Sequence, residues 1–410
     1  MNSIDIFSIA LGLESPWYVR DVKFEPSLEN GSKELHIWLD FAKGSSFKIG
    51  DDSYSKAYDT ENKTWQHLNF FEHKCYLHAR VPRVTTIDGK IRQTSVPWAR
   101  PGSGFTLLYE AYCMLLIECE MPISKVAHCM RVTAPRIWRV FDFWIDRAVR
   151  SDDLSSTCEV GIDETSSKKG HDYVTLFVDM TSHRVIDVEK GKHKETVSEF
   201  VYAFEAKGGD RRQIEQVSMD MSPAFIAGVL SMLPNAQLTF DKFHLIQNLN
   251  QAMDAVRKAE RIGNEALKNH KYTFLKNPDR LSKSKQGELN HLLMLYPILG
   301  EAYRLKEIFK DVFSISDPEE AKGYMKFWCD LAVESKIMPF VKFVNMIKAH
   351  WFGVVNYFDS KITNGVLEGI NSKVQLIKRR ARGYRKIENF INMIYFCCGK
   401  LKFDYPHYSL

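Results

Sequence analysis

Cys158-Glu159-Val160-Gly161-Ile162-Asp163-Glu164 reads as a short strand ending on a carboxylate. Ile214-Glu215-Gln216-Val217-Ser218-Met219-Asp220-Met221-Ser222-Pro223 reads as another, ending on Asp220 and punctuated by Pro223. Between them, two apolar, β-branched runs at 173–180 and 184–188 are split by the turn-like Thr181-Ser182-His183, and a helical period covers 195–206. After Asp220, residues 224–233 read as a helix and 237–240 as a strand ending at Asp241. The order strand, strand, strand, helix, strand, helix, strand predicts an α/β layered domain with acids gathered at strand ends. One Asp at a strand end is ordinarily a cap or turn residue. Two of them, with a Glu on a later helix, make a more specific constellation.

That Glu is Glu368. The chain reads Ile362-Thr363-Asn364-Gly365-Val366-Leu367-Glu368-Gly369-Ile370-Asn371, then Ser372-Lys373-Val374-Gln375-Leu376-Ile377-Lys378-Arg379-Arg380-Ala381-Arg382-Gly383. Val366, Ile370, Val374 and Ile377 recur at helical spacing and predict a buried stripe, with Glu368, Asn371 and Gln375 on another face. Lys373, Lys378, Arg379, Arg380, Arg382, Arg385 and Lys386 follow with no acid among them. A carboxylate beside so much positive charge suggests metal chemistry on a phosphate backbone. The same segment also reads as a solvated basic helix whose first-turn Glu favours the helix dipole.

The pattern resembles the ribonuclease-H-like catalytic core of DDE transposases from bacterial insertion sequences, and more narrowly the ISL-three family. The likeness rests on Gly161-Ile162-Asp163-Glu164, Ser218-Met219-Asp220-Met221, Phe240-Asp241-Lys242-Phe243-His244 and the Thr363 to Asn371 segment. It extends to Phe71-Glu72-His73-Lys74-Cys75-Tyr76-Leu77-His78-Ala79-Arg80-Val81-Pro82-Arg83 and Val96-Pro97-Trp98-Ala99-Arg100-Pro101, and so covers nearly the whole chain. It implies Asp163, Asp220 and Glu368 as catalytic, metal-binding acids, with Mg²⁺ or Mn²⁺ as cofactor. In-line displacement at phosphorus suits two divalent ions and hard oxygen ligands. On this reading Asp163 bridges both ions, Asp220 completes one site and Glu368 the other. Glu164, Asp179, Asp187 and Asp241 are the competing acids, Asp241 being the most credible because it too ends a strand and is followed by His244.

The stretch 245–360 separates Asp220 from Glu368. It is helical in pattern, with Leu245, Leu249 and Met253 on one amphipathic helix and Phe340, Val344 and Ile347 on another, and it resembles the all-helical insertion of several transposase groups. Trp351 within it reads either as a base-stacking residue or as core. Upstream, 105–118 predicts an apolar helix, 124–130 a second with Ser124 as its cap, and Arg131-Val132-Thr133-Ala134 the turn before a third that opens at Pro135. Ile137, Val140, Phe141, Trp144, Ile145 and Ala148 form the apolar face of that third helix. Arg136 and Arg139 fall off it, where a recognition helix meets DNA. An ordinary three-helix unit with solvated arginines reads from the same residues.

The 410 residues leave room for two or three domains, and the net charge of +5 is mild, so any DNA footprint must come from local clusters. No apolar run approaches a membrane span, and the first residues lack an export signal's basic and apolar order, which predicts a cytoplasmic protein, nucleoid-associated when bound to DNA. The eight cysteines form no CxxC pair, so the paired ligands of the zinc ribbon found in many relatives are missing from 47–52 and 85–90. Zinc is therefore not expected at Cys75, His67, His73 and His78. Runs at 34–41, 65–71 and 74–81 predict instead a β-rich module held by packing.

Together these readings predict an α+β multidomain chain. It comprises a β-rich module (1–104), a helix-turn-helix (105–152), a ribonuclease-H-like core begun at 153–244 and completed at 361–410, and a helical insertion (245–360). The expected function is a transposase that binds terminal inverted repeats and target DNA, as a homodimer or higher oligomer, and cuts and joins strands. The alternatives are a sequence-specific DNA-binding protein with an inactive core, and a ribonuclease-H-like nuclease or resolvase.

Overall fold

Alternation of buried and exposed side chains along two long strands builds the N-terminal sheet. The structure is a computed structural model that describes residues 3–27, 31–49, 53–168, 172–362 and 365–406. The chain separates into two units, Met1–Trp144 with Phe403–Leu410, and Ile145–Lys402.

The first unit runs α1 (Ser3–Ala10), β1 (Trp17–Pro26), β2 (Lys33–Phe41), β3 (Ser46–Lys48), β4 (Tyr54–Lys56), β5 (Asp59–Phe70), β6 (His73–Thr85) and β7 (Ile91–Gln93). Then come α2 (Leu107–Glu118), α3 (Ile123–Cys129) and α4 (Ala134–Arg150), whose last turns enter the second unit. The main sheet is ordered β1-β2-β6-β5 with β7 on β6; β2 and β6 pair in parallel and the other neighbours antiparallel. Leu35, Ile37, Leu39, Cys75, Leu77 and Ala79 form the buried face, joined by Trp17, Trp65 and Trp98. Of the β-module readings, 34–41 falls on β2, while 65–71 and 74–81 catch only parts of β5 and β6.

The three helices follow the sequence reading with two corrections. Thr106 caps α2 by accepting from the Tyr109 amide. Ser124 does not cap α3, which begins one residue earlier behind Pro122 and has no side-chain cap. Helix α4 begins at Ala134, so Pro135 lies inside its first turn, where a missing N–H costs nothing. Its face of Ile137, Val140, Phe141, Trp144, Ile145 and Ala148 is buried as the period predicts. At the heart of this bundle Glu110 is fully buried. It accepts from Arg100 Nε at 2.8 Å, Ser103 Oγ at 2.6 Å and Trp144 Nε1 at 2.8 Å, and the Arg100 guanidinium lies 3.7 Å from the Phe143 ring centroid. The Val96 to Pro101 run thus anchors the helices through Arg100.

The second unit continues with β8 (Glu159–Ser166), β9 (Tyr173–Asp179), β10 (Arg184–Lys190), α5 (Lys194–Ala206), β11 (Gln216–Met219), α6 (Pro223–Met232) and β12 (Gln237–Phe240). Helices α7 (Lys242–Glu260), α8 (Lys271–Leu275), α9 (Lys283–Leu295), α10 (Pro297–Asp311), α11 (Pro318–Glu334), α12 (Met338–Ala349) and α13 (Trp351–Ser360) lead to α14 (Gly365–Arg380) and α15 (Ile387–Cys398). The sheet is ordered β10-β9-β8-β11-β12, with β8, β9 and β10 antiparallel and β11 and β12 parallel to β8. One apolar core runs from Val160, Phe177 and Phe200 through Phe240 and Leu249 to Trp328 and Phe343. Trp328 is core, its Nε1 donating to Leu305 O at 2.8 Å, and Trp351 is partly buried against the same cluster. On α14 the buried stripe is Leu367, Ile370, Val374 and Ile377; Val366 is not part of it, because Leu367 lies nearer the helix face turned to the sheet. Among the described residues no helix is long and apolar enough to cross a membrane.

Candidate active site

Asp163 does not end its strand. Antiparallel pairing of β8 with β9 continues through Glu164↔Thr175 to Ser166↔Tyr173, so the carboxylate projects from mid-strand. Asp220, by contrast, follows β11 directly, and Asp241 follows the neighbouring β12 and caps α7 by accepting from the Phe243 amide at 2.8 Å. With β11 and β12 parallel to β8, the ends of both strands open on the side where Asp163 stands.

The three aspartates feel one another. The Asp163 carboxyl is pushed up to about 6, first by burial and further by the Asp220 and Asp241 charges, against the amide of Glu164 and His244, which favour its ionised form. Asp241 is itself buried, with His244 Nε2 3.8 Å from its Oδ2. The sequence reads Asp241 as second to the triad; the fold brings it and His244 within electrostatic reach of Asp163. The sequence signal for the pair is its spacing of one helix turn, with Asp241 followed by His244.

Helix α14, which carries Glu368, packs along β8. Asn371 Nδ2 donates to Asp163 Oδ2, Gln375 Nε2 to Thr165 Oγ1 at 2.9 Å, and Lys378 Nζ to Ser166 O at 2.7 Å. Successive turns of α14 are thereby tied to Asp163, Thr165 and Ser166 along β8. Gly161 permits the approach: a Cβ there would stand 2.5 Å from Met180 Sδ and 2.8 Å from Leu367 Cδ2. Glu368 precedes Asn371 by one turn, so it stands at the same end of the ladder, but its own side chain is exposed. Thr363 and Asn364 lie outside the described residues.

The donor set fits a hard divalent cation. It offers carboxylate oxygens from three chain segments, mutually repelling until a cation neutralises them, and the buried Asn371 Oδ1 has no hydrogen-bond partner among the described residues. As the side chains stand, no three acid, imidazole or thiol groups among the described residues are close enough to enclose an ion. The other acids have different work. Glu164 pairs with Lys192, Asp179 accepts from the Thr181 and Ser182 amides of a turn, and Asp187 is buried against Tyr395 Oη and Lys207.

Of the basic residues, Lys373, Arg379 and Arg380 are exposed, as is Arg382 just beyond the helix, whereas Lys378 is half-buried on Ser166. In the first unit the Arg136 guanidinium lies 4.2 Å from the Phe105 ring centroid and donates to Gln66 Oε1 at 3.4 Å, and Arg139 is exposed. Cys75 is buried, His67 faces Thr106 Oγ1, His73 the Lys33 carbonyl and His78 Thr64 Oγ1.

A family pattern described as "Transposase", of the ISL3 DDE type, matches residues 160–394. A second, "Helix-turn-helix domain of transposase family ISL3", matches residues 94–145. The transposase for insertion sequence element IS1557 of Mycobacterium tuberculosis is 28% identical over 432 aligned positions, covering 95% of this chain and 94% of the relative. The transposase for insertion sequence element IS1001 of Bordetella parapertussis is 27% identical over 344 positions, covering 82% and 84%. With the catalytic-domain pattern spanning more than half of its residues and the helix-turn-helix pattern lying on α2 to α4, the chain belongs to the ISL3 family of insertion-sequence transposases.

Proposed function

We propose that the second unit is a ribonuclease-H-like core split by a helical insertion, that Asp163, Asp220 and Glu368 carry the reaction, and that its substrates are the terminal inverted repeats of an insertion sequence and a target DNA. The observation that supports this best is that Asp163 feels the charges of Asp220 and Asp241 beside a helix that ends in Lys378, Arg379 and Arg380. The domain limits of the reading are a β-rich module at 1–104, a helix-turn-helix at 105–152, core segments at 153–244 and 361–410, and the insertion at 245–360. We place the protein in the cytoplasm, acting as a dimer or larger assembly on DNA.

DDE transposases use divalent metal ions. Mg²⁺ or Mn²⁺ is the ion proposed here; once bound it would polarise the phosphorus oxygens and lower the pKa of an attacking water or 3′-OH. The chain's own residues do the rest. Asp163 and Asp220 supply ligand oxygens from adjacent strands of one rigid sheet. Asn371 holds the Asp163 carboxylate in one rotamer. Arg379, Arg380 and Arg382 lie along the phosphates of the bound strand, and Arg139 projects from α4 toward base edges, with Arg136 held beside it by Phe105 and Gln66. Product type tests the reading. A supercoiled target and an element-end duplex with a free 3′-OH, incubated with Mg²⁺, should yield covalently joined strands. Cleavage without joining favours a nuclease or resolvase, and binding without cleavage a DNA-binding protein with an inactive core.

The two basic clusters separate by mutation. Arg136→Ala with Arg139→Ala should reduce the preference for repeat over random duplex, since a good bidentate contact discriminates by about 1–3 kcal/mol. Changing Arg379, Arg380 and Arg382 to Ala should weaken binding to any sequence and lower the log–log salt slope by about 0.9 for each phosphate left without its arginine. Isotherms over a salt series on repeat and scrambled duplexes read both. An unchanged slope in the triple variant removes the basic block from the DNA path.

A further inference from the structure

We propose that the open face of the N-terminal sheet is a stacking platform for unpaired DNA bases. His36 and Trp38 on β2, and Tyr76 and His78 on β6, fall on the side opposite the buried face; in the register His36 lies beside Tyr76 and Trp38 beside His78. Their planes agree closely: His36 makes 15° with His78, 24° with Tyr76 and 27° with Trp38, and Trp38 makes 21° with His78, all with centroids 5.0–5.8 Å apart. His36 Nδ1 and His78 Nε2 are hydrogen-bonded at 2.8 Å. An imidazole N–H lies in its ring plane, so those two rings meet edge to edge and tile a surface instead of covering one another. The tiling is locked. His78 Nδ1 bonds Thr64 Oγ1 at 2.9 Å, and His36 Nε2 stands 3.9 Å from Glu34 Oε2. All four rings are partly buried, the His36 side chain with 16% of its surface exposed.

The occupant follows from place and chemistry, and the inference rests on the DNA-binding reading. Gln66 lies beside Tyr76 across β5 and β6, and Gln66 accepts from Arg136 in the first turn of α4. The platform is therefore continuous with the start of the helix that the family pattern assigns to a DNA-binding domain. Paired bases stack on their own neighbours, so only an unpaired strand has free faces to offer. The rim carries both signs: Lys23, 5.8 Å from the Trp38 ring centroid, pairs with Asp21, and Arg80 pairs with Asp40. Binding should thus depend on stacking more than on phosphate attraction.

The test uses the full chain with a labelled oligothymidine strand, a blunt repeat duplex, and the same duplex with a single-stranded extension carrying 2-aminopurine. The wild type should bind the strand, gain affinity from the extension, and change 2-aminopurine fluorescence on binding. Trp38→Leu should weaken strand binding about 5- to 150-fold, the equivalent of one unstacked base. It should also abolish the fluorescence change and leave blunt-duplex affinity unaltered; Trp38→Phe should keep most of the wild-type behaviour. An equal weakening on blunt duplex and single strand would make Trp38 a structural support of the unit and overturn the proposal. So would a Trp38→Leu variant that binds the strand normally. If the wild type binds blunt repeat duplex but no single strand, the platform falls and the DNA-binding reading stands; failure to bind any DNA sinks the reading itself.

Discussion

Asp163→Asn, Asp220→Asn and Glu368→Gln are each expected to reduce strand cleavage more than about 10³-fold, roughly 4 kcal/mol of transition-state stabilisation, while binding to repeat DNA stays near wild type. Each change is nearly isosteric and removes one charged oxygen ligand. Asp241→Asn should cost less, about 10–100-fold, because it keeps the cap on α7 and alters only a neighbour of the site. A stability control separates lost chemistry from lost fold. The Asp163 carboxyl binds its proton more tightly folded than unfolded, being raised to about 6 from an ordinary 3.8. The stability it contributes is therefore present at low pH and lost as pH rises through about 6. An uncharged Asn at that position avoids the loss, so Asp163→Asn without metal should melt no lower than wild type at pH 7. Normal cleavage by any one of the three variants would remove that residue from the proposed triad.

Glu110→Ala is expected to destabilise the first unit by about 3–5 kcal/mol, the usual cost of removing one partner from a buried ion pair. Three donors converge on this carboxylate, and its removal strands the Arg100 guanidinium and the Trp144 indole N–H inside the bundle. Glu110→Gln retains an acceptor for Trp144 and should cost less. Urea unfolding of the full chain, followed by tryptophan fluorescence, reads the effect as an earlier transition. Repeat-DNA binding should fail at the urea concentration where that transition falls. A midpoint equal to wild type would show that the network adds nothing to the unit's stability.

Local pattern carries far in this chain. The strand after 237, the helix after 223 and the face of α4 follow from period and punctuation, because burial on one side imposes a repeat that a single sequence displays. Asp220 at the end of β11 is legible for the same reason: Pro223 closes the segment. What a strand's neighbour does to it is not legible. β8 runs past Asp163 only because β9 pairs with it as far as Ser166, and β5 and β6 outlast their apolar runs because they pair with each other. The buried stripe of α14 differs from the sequence reading at its first position, since Val366 and Leu367 are both apolar and only the packing of Leu367 against Gly161 chooses between them.

The sequence by itself determined the family, through motifs spread over nearly the whole chain, and with it the residue types that the chemistry needs. Tertiary structure alone decided who stands beside whom. It drew Asp241 and His244 toward Asp163, assigned Lys378 to Ser166, and laid Arg136 over Phe105. It also set four rings from two strands nearly parallel to one another. The physical reason is that spacing along a chain fixes the direction of a side chain only within its own element. Register between elements sets the distances between charges and rings, and those distances govern what the groups can do.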